Sequence, residues 1–386
     1  MIKMNRFICI CLSFSLLLLL TGCLDDLQLT RRAFVMGIAL DETEAGKVLL
    51  TTQVYVPSPK GEKKKGSKGY INVRTTGDTV AKAIRDIPIH LGRKTHWGHL
   101  RSIVISEKLA RKKRMAEVLE LFYRDHETRI TSSVLISKGN AADYLKKEPW
   151  IETTMGQQIL ANEESTADFS NKTVKTNLLT LILQTRSQVG NSIIPRIYIE
   201  EEHEFPSMDV AGIVLLKKNK MIGYLPPGNI EGLQIIRNEY RGGMLQILPC
   251  QTQPEKIEVV EVLSSQTTLK PVIKDDSLNV QISNKMEVVL QELKCSRIDA
   301  PEKERKFVER LEQALKKELK ETVSLLQEKQ FDAIDLGNKV YAKNPTLWKR
   351  WKNNWDQRFA DSNFEFDVKI RIINSGTTNG KPMFSE

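Results

Sequence analysis

The sequence is poor in the features that carry chemistry. It has no glycine-flanked nucleophile serine, no phosphate-cradling glycine loop and no Walker motif. Those absences exclude the common hydrolase and nucleotide-binding readings. It also lacks long apolar runs beyond its first twenty residues, which excludes a polytopic membrane protein. Five cysteines occur in 386 residues, and three of them, Cys9, Cys11 and Cys23, lie in or just after the apolar N-terminus. Only Cys250 and Cys295 remain for the folded part, too few for a disulfide framework. An oxidising compartment would let these two pair. Their places at the ends of strand-like runs instead favour two small buried side chains.

What is present starts with a secretory leader. Lys3 and Arg6 precede the apolar run 7–20, which is too short for a lasting membrane span at ~1.5 Å per helical residue against a ~30 Å hydrocarbon layer. Leu20-Thr21-Gly22-Cys23 then places two small residues before a cysteine, and polar sequence follows at Asp25. This is the pattern of a bacterial lipoprotein signal, with cleavage after Gly22 and acylation of Cys23. An ordinary signal peptide with a chance cysteine is the competing reading. Removing 22 residues from 386 leaves 364, and the loss of Lys3 and Arg6 takes the formal charge from +10 to +8. Two or more acyl chains, at ~0.8 kcal/mol per buried methylene, make a durable anchor.

The mature chain reads as α+β, with mixed and antiparallel sheets flanked by helices in a multi-domain extracytoplasmic lipoprotein. Strand-like runs at 32–40 and 47–56 flank a polar turn and predict a hairpin. A loop with five lysines, Lys60 to Lys68, follows. Strands at 101–106 and 130–137 alternate with helical stretches at 107–127 and 141–147, which predicts a sheet with helices packed on it. Further helical sequence covers 155–163 and 174–188, and Pro195 marks a boundary. Beyond Gly242 strand follows strand to 293. A long helix then begins near Asp299 and Pro301, with Val308, Leu311, Leu315, Leu319, Val323 and Leu326 on one face. A tryptophan-rich helix from Pro345 and a strand at 364–373 close the chain. The expected division is 1–22 as lipoprotein signal peptide, 23–195 as an N-terminal α/β domain, 196–248 as a small middle domain and 249–386 as a C-terminal α+β domain.

The search for reacting groups yields little. His96 and His99 stand three residues apart, a spacing that chelates zinc on a helix, with His90 nearby. Gly92, Gly98 and the missing glutamate favour hydrogen-bonded loop histidines over a metalloprotease motif. The acidic run 200–204 reads as a solvated face. Two basic features, the lysine loop and Arg111 to Arg114, serve either solubility or contact with anionic headgroups. Nucleic acid is a poor partner behind a lipoprotein signal. Trp348, Trp351, Trp355 and Phe359, spaced by three, four and four, read as the core face of a helix. No cofactor and no catalytic residue are expected.

In order along the chain, these residues resemble the Ger(x)C family, the lipoprotein C subunits of nutrient germinant receptors of endospore-forming bacteria. The resemblance rests on Cys23, on Gly37 and Asp41 in the first strand, on His99 before the strand ending in Ala110, and on Arg124, Asp125 and Arg129. A hairpin from Gly212 to Leu225 is similar to the family's. The most specific piece comprises Gln327, Asp332, Gly337, Pro345, Trp348, Trp355 and Phe359. Members usually carry tryptophan directly after the lipid cysteine, where this chain has Leu24. The resemblance implies a three-domain α+β protein on the outer face of the inner spore membrane. It would work there with two integral-membrane subunits, A and B, in a non-enzymatic role needed to trigger germination. It also implies that His99 is structural. The alternative is a surface lipoprotein that binds a solute or cleaves cell wall with a metal.

Overall fold

The computed structural model describes residues 31–57, 69–200, 207–250, 253–274 and 276–374. The leader with Gly22 and Cys23, the lysine loop and most of the acidic run 200–204 lie outside the described residues.

The first sheet opens with the expected hairpin, β1 (Arg32–Glu42) and β2 (Val48–Tyr55), followed by β3 (Tyr70–Gly77). Two short helices, α1 (Val80–Arg85) and α2 (Ile87–Leu91), lead to β4 (Lys94–His96), which runs parallel to the first residues of β1. β5 (Ser102–Ser106) takes over as the parallel neighbour of β1 from Gly37 onward. The helical stretch after it is two helices, α3 (Glu107–Lys112) and α4 (Met115–Arg124), because Lys113 and Arg114 adopt extended backbone between them. β6 (Ser133–Ser137), α5 (Ala141–Lys146), α6 (Met155–Ser165) and α7 (Leu178–Thr185) precede β7 (Asn191–Glu200), which pairs parallel to β6. β8 (Ser207–Lys217) and β9 (Lys220–Leu225) close the sheet, whose order is β3-β2-β1-β5-β6-β7-β8-β9 with β4 beside β1.

β5 and β6 are buried along their whole length, as parallel strands covered on both faces must be. Ile103, Ile105, Val134 and Ile136 share one core with α3, α4 and α7. Val104 and Leu135 point the other way, into a core with Tyr144, Leu145 and Ile159. That alternation is the two-residue side-chain period of a strand.

The second sheet is β10 (Gly243–Cys250), β11 (Gln253–Lys274), β12 (Ser277–Glu292) and β13 (Asn363–Asn374), in that order. β11 is one continuous strand with bulges. β12 alternates between buried and exposed residues, so only one face is covered. The covering helix is α9 (Pro301–Glu328), whose Leu311, Leu315, Leu319 and Leu326 meet Val280, Ile282 and Val288. α8 (Ile230–Ile236) joins this core from the linker between the sheets, and α10 (Leu336–Lys343), α11 (Pro345–Trp351) and α12 (Trp355–Ala360) complete it.

The sheets do not follow the expected division of the chain. Position 195 lies inside β7, and residues 196–225 pair into the first sheet rather than forming a middle unit. Pro195 fits because the pairing register shifts between Pro195 and Ile197, a bulge that accommodates its missing N–H. Position 248 likewise lies inside β10. The described strands thus make two sheets where the resemblance implied three domains. Cys295 also departs from expectation, since it is exposed and disulfide-bonded. The turn that presents it is held by the buried Glu258 carboxylate, which accepts the Lys294, Cys295 and Ser296 N–H groups and an Arg310 guanidinium hydrogen bond at 3.2 Å.

Candidate functional site

Five of the signature residues converge where the second sheet's helices meet the first sheet. Asp332 sits in the turn between α9 and α10 and is 3% exposed. Its carboxylate accepts the N–H groups of Ile334 (3.1 Å), Leu336 (3.1 Å) and Gly337 (2.8 Å), which caps α10, and the Trp355 indole N–H at 3.1 Å. Burial outweighs these bonds and pushes the Asp332 pKa up to about 6. Gln327, in the last turn of α9, donates to the carbonyls of Phe359 (3.2 Å), Ala360 (2.8 Å) and Ser362 (2.8 Å) at and just beyond the end of α12.

Gly337 leaves room for the tryptophans. A Cβ there would lie 2.5 Å from Val189, 2.8 Å from Trp348 and 2.9 Å from Trp355. The two indoles meet edge to face with centroids 5.0 Å apart. Trp348 also donates to Gln188 at 3.1 Å, while the Gln188 N–H donates to Asn338 at 2.9 Å and Asn191 donates to the Asp332 carbonyl at 3.3 Å. Residues 188–191 lead into β7, so the knot ties the two sheets together. The Trp348, Trp351, Trp355 and Phe359 stripe is buried.

Gly37 does comparable work in β1. A Cβ on it would lie 3.0 Å from the Gly156 Cα, and one on Gly156 would lie 2.3 Å from the Met36 carbonyl. α6 thereby packs directly on the strand backbone. Four residues on, the buried Asp41 carboxylate accepts the N–H groups of Ala141 (2.7 Å) and Ala142 (2.9 Å) at the start of α5, and burial raises its pKa.

His99 is exposed in the turn before β5, with its ring 5.2 Å from Phe34 and 5.8 Å from His96. Partial desolvation, followed by electrostatic repulsion from His96, Arg101 and Arg129, holds its pKa below the ordinary value. His96 approaches Glu127 at 3.5 Å. Among the described residues no group of three or more His, Cys, Asp or Glu is arranged to hold a metal ion, so the zinc alternative gains no ligand set. Asp125 accepts the Glu127 N–H at 2.9 Å and so shapes the turn that presents Glu127, while Arg124 pairs with Glu120 one turn back on α4. Arg124 also borders a cleft of about 680 Å³ between α4 and α7, lined by Met115, Leu119, Tyr123, Leu181 and Ile182.

Gln53 and Gln188, which the sequence did not mark, belong to the same scaffolding. Gln53 joins the Leu145 carbonyl to the Gly156 N–H. A lone glutamine in a strand carries no pattern that would have revealed it.

Carboxylates, glutamines and indoles committed to joining elements define a two-sheet scaffold. Comparison with known proteins specifies it further. Residues 25–199 match the family described as spore germination protein N-terminal domain, and residues 211–376 match spore germination B3/GerAC like, C-terminal. Spore germination protein B3 of Bacillus subtilis (strain 168) is 28% identical over 94% of this chain and 96% of its own length. Spore germination protein A3 of the same organism is 24% identical over 95% and 96%. The crystal structure of the GerBC protein superposes with a TM-score of 0.55 at 23% identity, covering 88% of this chain and 97% of that one, and shows the same fold. The chain belongs to the Ger(x)C family of spore germination proteins.

Proposed function

We propose that this chain is the lipid-anchored, non-enzymatic subunit of a nutrient germinant receptor. It is cleaved after Gly22, acylated at Cys23 and held on the outer face of the inner spore membrane beside two integral-membrane subunits, A and B. Its task there is to enable the triggering of germination. The observation that carries this reading is the family match across both sheets, which begins two residues after Cys23. Three further observations support it. The side chains of Gln327, Asp332 and Trp355 are spent on structure, no helix of the described residues is long and apolar enough to cross a membrane, and a disulfide at Cys295 suits an oxidising compartment. Replacement Cys23→Ala in spores should release the protein from the membrane fraction and weaken the response to nutrients. Normal retention together with a normal response would refute the anchoring part. Copurification of two multi-span proteins with the tagged, lipidated chain tests the partnership, and their absence from the purified material would refute it.

A further inference from the structure

The first sheet has two chemically different ends along β1. That strand is 11 residues long, about 33 Å at ~3.3 Å per residue. At its start the parallel pairing places Lys94 beside Arg32 and His96 beside Phe34. Arg31, Arg93 and Lys94 are exposed there. The turns entering β5 and β6 add His99, Arg101 and Arg129, with both arginines close enough to His99 to disfavour its charged form. Two acids among the described residues lie close to these cations. Glu127 lies 3.7 Å from Lys94 and 3.5 Å from His96, and Asp125 is occupied with the Glu127 N–H. Antiparallel pairing of Val35 with Val54 brings the end of β2 to the same place, where Tyr55 is 36% and Val56 39% exposed.

At the other end of β1 stand Asp41 and Glu42. The Arg111 to Arg114 cluster belongs to that end, because Lys112 pairs with Glu42 at 2.5 Å, and Arg111 pairs with Glu107 on its own helix. Of the two basic features that the sequence offered for headgroup contact, this one therefore points away from the start of β1.

The position of Cys23 decides which end meets lipid. It precedes Arg31 by eight residues, a reach of at most ~29 Å at ~3.6 Å per residue. The geometry points to the start of β1, with Arg31, Arg93, Lys94, Arg101 and Arg129 at its rim, as a face that rests on anionic lipid headgroups. Cations there meet phosphates, and Tyr55 and Val56 supply the aromatic and aliphatic groups that favour the interfacial layer. The contact fixes the orientation of the scaffold over the membrane, which a flexible tether alone does not. This inference rests on the proposed acylation of Cys23.

The test reconstitutes the lipidated full chain into vesicles of phosphatidylcholine alone or with ~30% phosphatidylglycerol and follows backbone hydrogen exchange. The chain should stay on both vesicles. Exchange should slow around 31–36, 93–101 and 126–132 on the anionic vesicles alone, with no change at 111–115. The combined replacement Arg93→Glu, Arg101→Glu and Arg129→Glu should abolish that slowing and leave retention intact. Without the lipid, in the Cys23→Ala chain, the same replacements should weaken binding to anionic vesicles at least tenfold, each cation being worth about fivefold. Retention on both vesicles with no lipid-dependent slowing would overturn the inference and leave the anchor standing. Loss of the chain from both vesicles would overturn the anchor and the inference with it. Slowing that appeared only with the membrane subunits present, equally on both lipids, would overturn it in favour of an acidic protein surface. Should the triple variant fail to fold, the wild-type exchange pattern on the two lipids decides alone.

Discussion

The indole N–H of Trp355 donates to the carboxylate of Asp332 at 3.1 Å, and both residues are 3% exposed. The bond joins α12 to the turn before α10, and the same carboxylate caps α10 through three backbone N–H groups. A buried carboxylate is tolerable only when so surrounded, and removing a donor leaves part of its desolvation unmatched. Replacement Trp355→Phe, which keeps a ring and loses the donor, should cost ~1–3 kcal/mol. Trp355→Ala removes the packing as well and should cost ~3–5 kcal/mol. Denaturant unfolding of the two variants measures both, and an Ala variant within ~1 kcal/mol of wild type would show that the indole is not core.

Gly337 offers a test by sign. A glycine inside a helix is ordinarily less stable than alanine by up to ~1 kcal/mol, so Gly337→Ala would gain stability if propensity decided the matter. The methyl group would instead stand within 3 Å of Val189, Trp348 and Trp355. Overpacking should dominate and cost ~1–3 kcal/mol. A rise in melting temperature would contradict the packing given for this helix.

The signature of α9 to α12 was legible because its periodicity was strong. Leucines at steps of three and four announced α9, and the spaced tryptophans announced a buried face. Nothing in one sequence said that Asn191 meets the Asp332 carbonyl or that Trp348 meets Gln188, because those contacts join residues 141 and 160 positions apart. Pro195 does not end an element, because a register shift there lets β7 continue to Glu200. Cys295 is a similar case, since the end of a strand-like run suggested burial while the turn built by Glu258 turns it outward.

Glu258 should make the second sheet acid-sensitive. Burial raises its pKa, but the Ser296 hydroxyl and the N–H groups of residues 294–296 outweigh that and leave it below the ordinary value of 4.5. Its contribution to stability is therefore present above about pH 4.5 and lost as the pH falls through the lower native value. Glu258→Ala strands three N–H groups and the Arg310 contact, and should cost ~2–4 kcal/mol at pH 7. The deficit should shrink as the pH falls below about 4.5, because the unfolded wild-type chain there takes up a proton that the native carboxylate resists, and a constant difference from pH 7 to 3 would contradict the assignment.

Glu163 acts in the opposite direction. Its carboxyl is 2% exposed beneath β6, bonded to the Ser133 hydroxyl and accepting the Thr176 N–H at 2.9 Å, and burial pushes its pKa up to about 8. Between pH 4.5, its ordinary value, and about 8 the native state holds a proton that the unfolded chain has released. The stabilisation is thus complete below 4.5 and is lost as the pH climbs through about 8. Glu318, raised to about 7 by burial and by the neighbouring Glu231, adds to the same alkaline loss. Glu163→Gln keeps an amide in reach of Ser133 and Thr176 without a charge. At pH 5 it should match wild type to within ~1 kcal/mol, because both side chains are neutral there. At pH 9 it should be the more stable of the two by roughly 2–4 kcal/mol, since only wild type must bury a carboxylate or unfold. Melting curves across that range measure the crossing, and parallel curves for the two proteins would show that Glu163 is already ionised in the native state at neutral pH.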